Sequence, residues 1–163
     1  MASGRGWQCP SWRLRRRDRQ VHVHRPELFG PCGRNWCGHS RTSDPVHEAT
    51  SAVVGPNDMV MLPRHSTHSD WEVELGVVIG KSCKYVGVED ALDYVAGYFV
   101  ANDVSERHFQ TQLTGQWTKG KSCDTFGPIG PWLVTADEVA DPQNLDMSLD
   151  VNGKRMQTGS TST

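Results

Sequence analysis

The chain changes character near residue 48, and that break decides how much of it can build a core. Residues 1–48 carry nine Arg and no Lys against the acids Asp18, Glu27, Asp44 and Glu48, a charge of +5. Residues 49–163 carry eight basic and fifteen acidic residues, a charge of −7. The first stretch has no Ile and no Tyr, yet holds three of the six Trp and four of the seven His. Nothing in it alternates like a strand or recurs like an amphipathic helix. A segment so poor in aliphatic side chains buries too little apolar area to offset the entropy of ordering it. The core is therefore expected from residue 49 onward, in one domain of ordinary size.

Several function classes fall away on the same grounds. No apolar run approaches the ~18 residues that a spanning helix requires, so a membrane partner is excluded. The start Met1–Arg5 lacks an apolar signal region, and the five Cys show no regular pairing. Together these predict a reducing, cytoplasmic setting. In the first stretch, Arg13–Arg19 has the form of a basic arm for nucleic acid. Cys32, Cys37, His39 and His47 have zinc-ligand chemistry at a spacing that fits a finger poorly. A solvated charge run and lone cysteines are the commoner reading of both, so nucleic acid is not an expected partner.

From Ala49 onward the pattern is that of an α+β fold, mainly β. Ser51–Val54 reads as a strand stopped by Gly55-Pro56-Asn57-Asp58, and Met59–Pro63 as a second. Trp71–Gly80 alternates and then becomes apolar at Val77-Val78-Ile79, as if buried on both faces. Strand period puts Trp71, Val73 and Leu75 on one face, with Glu72 and Glu74 together on the other. Val88–Val95 suits a short helix and Gly97–Asp103 a buried strand. Trp132–Thr135 and Leu145–Val151 follow as strands, and Asn152-Gly153 makes a type I′ turn into Lys154–Gln157.

Three carboxylates stand at strand positions or ends: Glu72, Glu74 and Asp103. An all-oxygen set of this kind suits Mg²⁺, Mn²⁺ or Ca²⁺ better than Zn²⁺, although a solvated acidic face reads the same from two residues alone. Arg107 and Gln110 follow Asp103 at +4 and +7, so a helix begun at Val104-Ser105 would present both from one side. Arg holds a carboxylate in bidentate fashion. Trp117–Phe126 then supplies lysines in a glycine-bearing loop, and a lysine near a metal-bound carbonyl steadies a developing enolate.

Five blocks in order resemble the fumarylacetoacetate hydrolase family over about residues 49–163. They are Asp70-Trp71-Glu72-Val73-Glu74-Leu75, Asn102-Asp103-Val104-Ser105-Glu106-Arg107, Gln116-Trp117-Thr118-Lys119-Gly120-Lys121, Asp124-Thr125-Phe126-Gly127-Pro128-Ile129-Gly130-Pro131 and Val151-Asn152-Gly153. The look is that of the bacterial branch labelled ureidoglycolate lyase or 2,4-diketo-3-deoxy-L-fuconate hydrolase. The resemblance implies a mixed β-roll with metal ligands at Glu72, Glu74 and Asp103. It implies substrate contacts at Arg107 and Gln110, a catalytic Lys121, and Mg²⁺, or else Mn²⁺ or Ca²⁺, as cofactor. It implies hydrolysis or a related lyase or hydratase step on a small 2-oxo or 2,4-dioxo acid. Homodimers are common in the family.

The resemblance also implies parts that this sequence does not show. The family carries a Cys-Ile-Gly-Leu-Asn-Tyr strand and an Asp-His-x-x-Glu lid helix before the Ala49–Ala52 block, and closing strands after the Val151–Gly153 block. Back-translated and read one base later, Gly30–Asn35 permits Asp-His-Ala-Ala-Glu, and Val23–Leu28 permits the strand. Residues 1–48 are accordingly read as an out-of-frame or disordered segment, and 49–163 as the first part of a roll incomplete at both ends. Without lid and closing strands this stretch by itself is expected to be inactive, and a non-catalytic product that at most binds a cation or a partner chain is the competing expectation. A nucleic-acid binder acting through the Arg arm is the third.

Overall fold

A computed structural model describes residues 45–162. The Arg arm, Cys32, Cys37, His39 and the back-translated segment lie outside the described residues. The strands are β1 (Val53–Val54), β2 (Ser69–Asp70), β3 (Val73–Ile79), β4 (Val95–Asn102), β5 (Ser105–Glu106), β6 (Gly127–Thr135), β7 (Asp146–Val151) and β8 (Lys154–Ser160). Among the described residues the helical elements are short, with one α-turn, α1 (Thr118–Lys121). This is the expected mainly-β, α+β partial roll. No described helix is long and apolar enough to cross a membrane.

A four-stranded sheet in the order β1-β6-β4-β3 carries the site. It is mixed: β1 runs parallel to β6, while β4 pairs antiparallel with both β3 and β6. The β3–β4 register sets Val73 opposite Asn102 and Glu74 opposite Ala101. The acidic start of β3 therefore meets the polar end of β4. Gly76 faces Phe99 across the same ladder, and a side chain there would run into the Phe99 ring. The two-stranded ladders β2–β5 and β7–β8 flank the sheet. Asn152 and Gly153 turn β7 into β8 with φ of 52° and 79°, the left-handed pair that a type I′ hairpin requires.

The buried apolar set is small: Ala52, Val73, Tyr98, Phe99, Ala101, Val104 and Phe126. Phe126 is fully buried, and its carbonyl accepts from the Val104 amide at 2.9 Å. The core thus anchors the chain immediately after Asp103.

Four local expectations need correcting. Met59–Pro63 is irregular rather than a strand. Met59, Met61 and Leu62 are exposed, and the Met61 amide bonds to Thr125 Oγ1 at 2.7 Å instead of to a ladder. The Val77–Ile79 end of β3 is not buried on both faces: Val77 and Val78 are half-buried and Ile79 is exposed. Val88–Tyr94 forms 3₁₀ turns, with Leu92 and Val88 exposed. The helix placed at Val104-Ser105 begins later, because Ser105 and Glu106 pair with Asp70 and Ser69; a π-type turn follows over His108–Gln112.

Candidate metal and oxo-acid site

The site grows from the paired ends of β3 and β4. Asp103 donates its amide to the Glu72 carbonyl at 2.9 Å, and the Glu72 amide bonds to Asn102 Oδ1 at 3.1 Å. Glu72 and Glu74, two apart on the extended chain, share a side. One carboxylate oxygen from each of Glu72, Glu74 and Asp103 lies within 4.8 Å of the others, and all three residues are buried. Carboxylates packed this closely repel unless a cation lies among them.

Lys121 is 2% exposed and supplies one such cation. It is carried by α1, not by the loop expected from sequence. Its Nζ donates to Glu72 Oε2 at 3.0 Å, to Ser105 Oγ at 2.9 Å and to Asp103 Oδ2. Gly120 lets α1 approach: a Cβ there would stand 2.6 Å from both the Gln110 Cβ and the Glu106 carbonyl.

Arg107 closes the other flank. Its Nη2 donates to Glu72 Oε1 at 2.6 Å and to Asp70 Oδ2 at 2.8 Å, its Nε also reaches Asp70, and Nη1 donates to Gln110 Oε1 at 3.0 Å. Burial lowers the Arg107 pKa, but Glu72 and Asp70 outweigh it and hold the guanidinium more firmly protonated than usual. Gln110 is buried beside it. The structure therefore brings all six candidate residues together: Glu72, Glu74, Asp103, Arg107, Gln110 and Lys121.

The donor set fits a hard divalent cation. It is all oxygen, and Asp103 Oδ1 is buried with no hydrogen-bond donor. Burial, then the Asp103 and Glu72 carboxylates, push the Glu74 carboxyl up to about 8. Asp103 is also raised, by burial, against the pull of the Lys121 ammonium. These shifts mark a surplus of negative charge that Lys121 alone does not balance.

Four neighbours escaped the sequence reading. Glu48 reaches the cluster and meets the Asp103 carboxyl; burial first, then Asp103, push it up to about 8. Asp70 orients Arg107 and Ser105 holds Lys121. Asp70 was discoverable, since Asp70, Glu72 and Glu74 recur at strand period. Glu106 is fully buried and accepts from the Ser66 and Ser69 hydroxyls and the His68 and His108 amides. Burial would raise its pKa, but these donors outweigh burial and lower it. Glu48 sits in a stretch whose composition argues against a core, so no motif pointed to it.

Comparison with known proteins identifies the family and the fold. Residues 36–163 match the family described as fumarylacetoacetate (FAA) hydrolase C-terminal. The 2,4-didehydro-3-deoxy-L-rhamnonate hydrolase of Sphingomonas sp. (strain SKA58) is 64% identical over 116 residues, 71% of this chain and 41% of that protein. The crystal structure of a 2-hydroxyhepta-2,4-diene-1,7-dioate isomerase from Mycobacterium marinum superposes with a TM-score of 0.68 at 42% identity, over 75% of this chain and 48% of its own. A fumarylacetoacetate hydrolase from Exiguobacterium antarcticum superposes with a TM-score of 0.68 at 37% identity, over 74% of this chain and 43% of its own. The chain thus spans less than half the length of these relatives.

Proposed function

We propose a function from one established premise: the chain belongs to the fumarylacetoacetate hydrolase family. The reading is a divalent-metal-dependent site that cleaves a carbon–carbon bond in a small 2-oxo or 2,4-dioxo carboxylic acid, with Mg²⁺ or Mn²⁺ at Glu72, Glu74 and Asp103. One observation carries it: three buried carboxylates lie within 4.8 Å, with the unpartnered Asp103 Oδ1 among them. The relatives' names, a sugar-acid hydrolase and a dienedioate isomerase, supply the substrate class.

The bound cation supplies Lewis acidity toward the substrate's adjacent oxygens. The chain's own groups do the rest. Lys121 holds three protons at Nζ, aimed at Glu72, Asp103 and Ser105. As water adds to the carbonyl carbon and the carbon–carbon bond breaks, turning one of these protons toward the substrate oxygen that gains charge stabilises the enolate, which then takes water's proton at carbon. Arg107, held in orientation by Asp70, presents its planar fork to a substrate carboxylate. Gln110 accepts from Arg107 at Oε1, which leaves its amide NH₂ as the donor end. The reading places the protein in the cytoplasm, supported by the unpaired thiols of Cys83 and Cys123.

A chimera tests this. Residues 49–163 of this chain replace the matching part of the Sphingomonas hydrolase, and turnover of that enzyme's own substrate is measured with Mg²⁺ and with a chelator. The expected result is cation-dependent turnover that Asp103→Asn abolishes. Turnover that survives both the chelator and Asp103→Asn contradicts the reading.

A further inference from the structure

Glu48 is pinned in place by backbone on either side of it. The His47 carbonyl accepts from Thr118 Oγ1 at 3.0 Å, and the Ala49 amide donates to Ser122 Oγ at 2.9 Å. Both partners flank the turn that carries Lys121. Glu48 therefore belongs to the same rigid corner as the lysine.

A cavity of about 50 Å³ opens at this corner, with Glu48, Glu74 and Asp103 among its walls and Ala52 and Ala101 as apolar backing. One water needs roughly 10–15 Å³ of such space, so it suits a small guest such as an ion with its water. Two features say what kind. The Glu48 carboxyl meets the Asp103 carboxyl, a contact that holds only with a shared proton or with a cation between the two groups. Asp103 Oδ1, buried without a donor, is the counterpart. Four carboxylates then stand around Lys121, with Arg107 bonded to Glu72.

We infer that Glu48 is a fourth carboxylate donor to the cation of this site, biasing it toward Ca²⁺ relative to Mg²⁺. The inference rests on the metal reading above. Glu48 stands outside the three-carboxylate group, so its side chain turns about its own torsions to reach the ion. Ca²⁺ takes six to eight oxygens in flexible geometry, whereas Mg²⁺ is usually held by only one or two carboxylates and keeps several waters. A fourth carboxylate on a flexible stem therefore serves the larger ion more.

The test is calorimetric titration of the full chain with Ca²⁺ and with Mg²⁺, for wild type, Glu48→Gln, Glu48→Asp and Asp103→Asn, each checked by circular dichroism. Wild type is expected to bind one ion per chain, and Asp103→Asn to lose both. Glu48→Gln is expected to weaken Ca²⁺ by about tenfold or more and Mg²⁺ by less. Glu48→Asp keeps the charge but shortens the reach, and is expected to lose Ca²⁺ affinity as well. Wild-type affinities in Glu48→Gln, with binding lost in Asp103→Asn, overturn the role of Glu48 and leave the metal reading standing. Equal losses of Ca²⁺ and Mg²⁺ in Glu48→Gln, with none in Glu48→Asp, make Glu48 a through-space charge and overturn it too. No ion bound by the folded wild type overturns both readings.

Discussion

At the scale of single residues, the account turns on which charges share one buried corner. Lys121 stands between Glu72 and Asp103 as their buried cationic partner. Lys121→Met would strip that charge from an acidic site, and breaking a buried pair typically costs about 3–5 kcal/mol. The expected outcome is a split: the ion-free variant melts lower, divalent cation restores it, and turnover in the chimera stays lost. A variant that melts normally without cation, or turns over normally with it, contradicts the placement of Lys121. Asp103→Asn removes a carboxylate that the proposed cation would use directly. It is expected to weaken Mn²⁺ by more than the roughly 100-fold that loss of an outer-shell partner can cost, read by calorimetry.

At the scale of elements, two close approaches hold the corner in shape. Gly120 lets α1 lie on the His108–Gln112 turn, and a methyl group there meets Gln110 and the Glu106 carbonyl. Gly120→Ala is expected to destabilise by about 1–3 kcal/mol through overpacking and to move Lys121 off Asp103. A thermal melt together with cation titration checks this, since a mere packing loss leaves affinity unchanged. Glu106 ties the Ser66–Ser69 segment to the turn carrying Arg107, with four donors on one buried carboxylate. Glu106→Ala leaves those donors without their acceptor and is expected to cost about 1–3 kcal/mol in denaturant unfolding. Sequence reading found the strands that carry the candidate ligands because period-2 patterning is explicit at Asp70–Leu75. It misplaced Met59–Pro63, whose apolar side chains have no sheet to cover, and the turn after Arg107. There, pairing of Ser105 and Glu106 with β2 delays the helical geometry.

At the scale of the whole molecule, stability and the proposed cation binding share the same carboxylates. Burial and the neighbouring carboxylates push Glu48 and Glu74, ordinarily near 4.5, up to about 8 in the fold. Between those values the folded state binds more protons than the unfolded chain, so ion-free stability falls as pH rises from 4.5 to 8 and levels off above. A cation held among these carboxylates would relieve this, because the protons it displaces are those the high pH would remove. The melting temperature without cation is therefore expected to fall from pH 5 to pH 8, with a larger cation-induced rise at pH 8. A flat profile, or a larger rise at pH 5, contradicts the buried charge surplus. The family blocks pointed to the candidate triad, Arg107, Gln110 and Lys121, which the fold brings together, because their residue types are themselves the chemistry. Glu48, Asp70 and Ser105 act through three-dimensional proximity, and Glu48 stands in a stretch with no patterning to mark it. The most direct test of the central claim is anomalous diffraction from crystals of the chain soaked in Mn²⁺. The account predicts one strong peak in contact with Glu72, Glu74 and Asp103, with Lys121 Nζ drawn off Asp103. Absence of a peak at these carboxylates, with Lys121 still seated between Glu72 and Asp103, contradicts it.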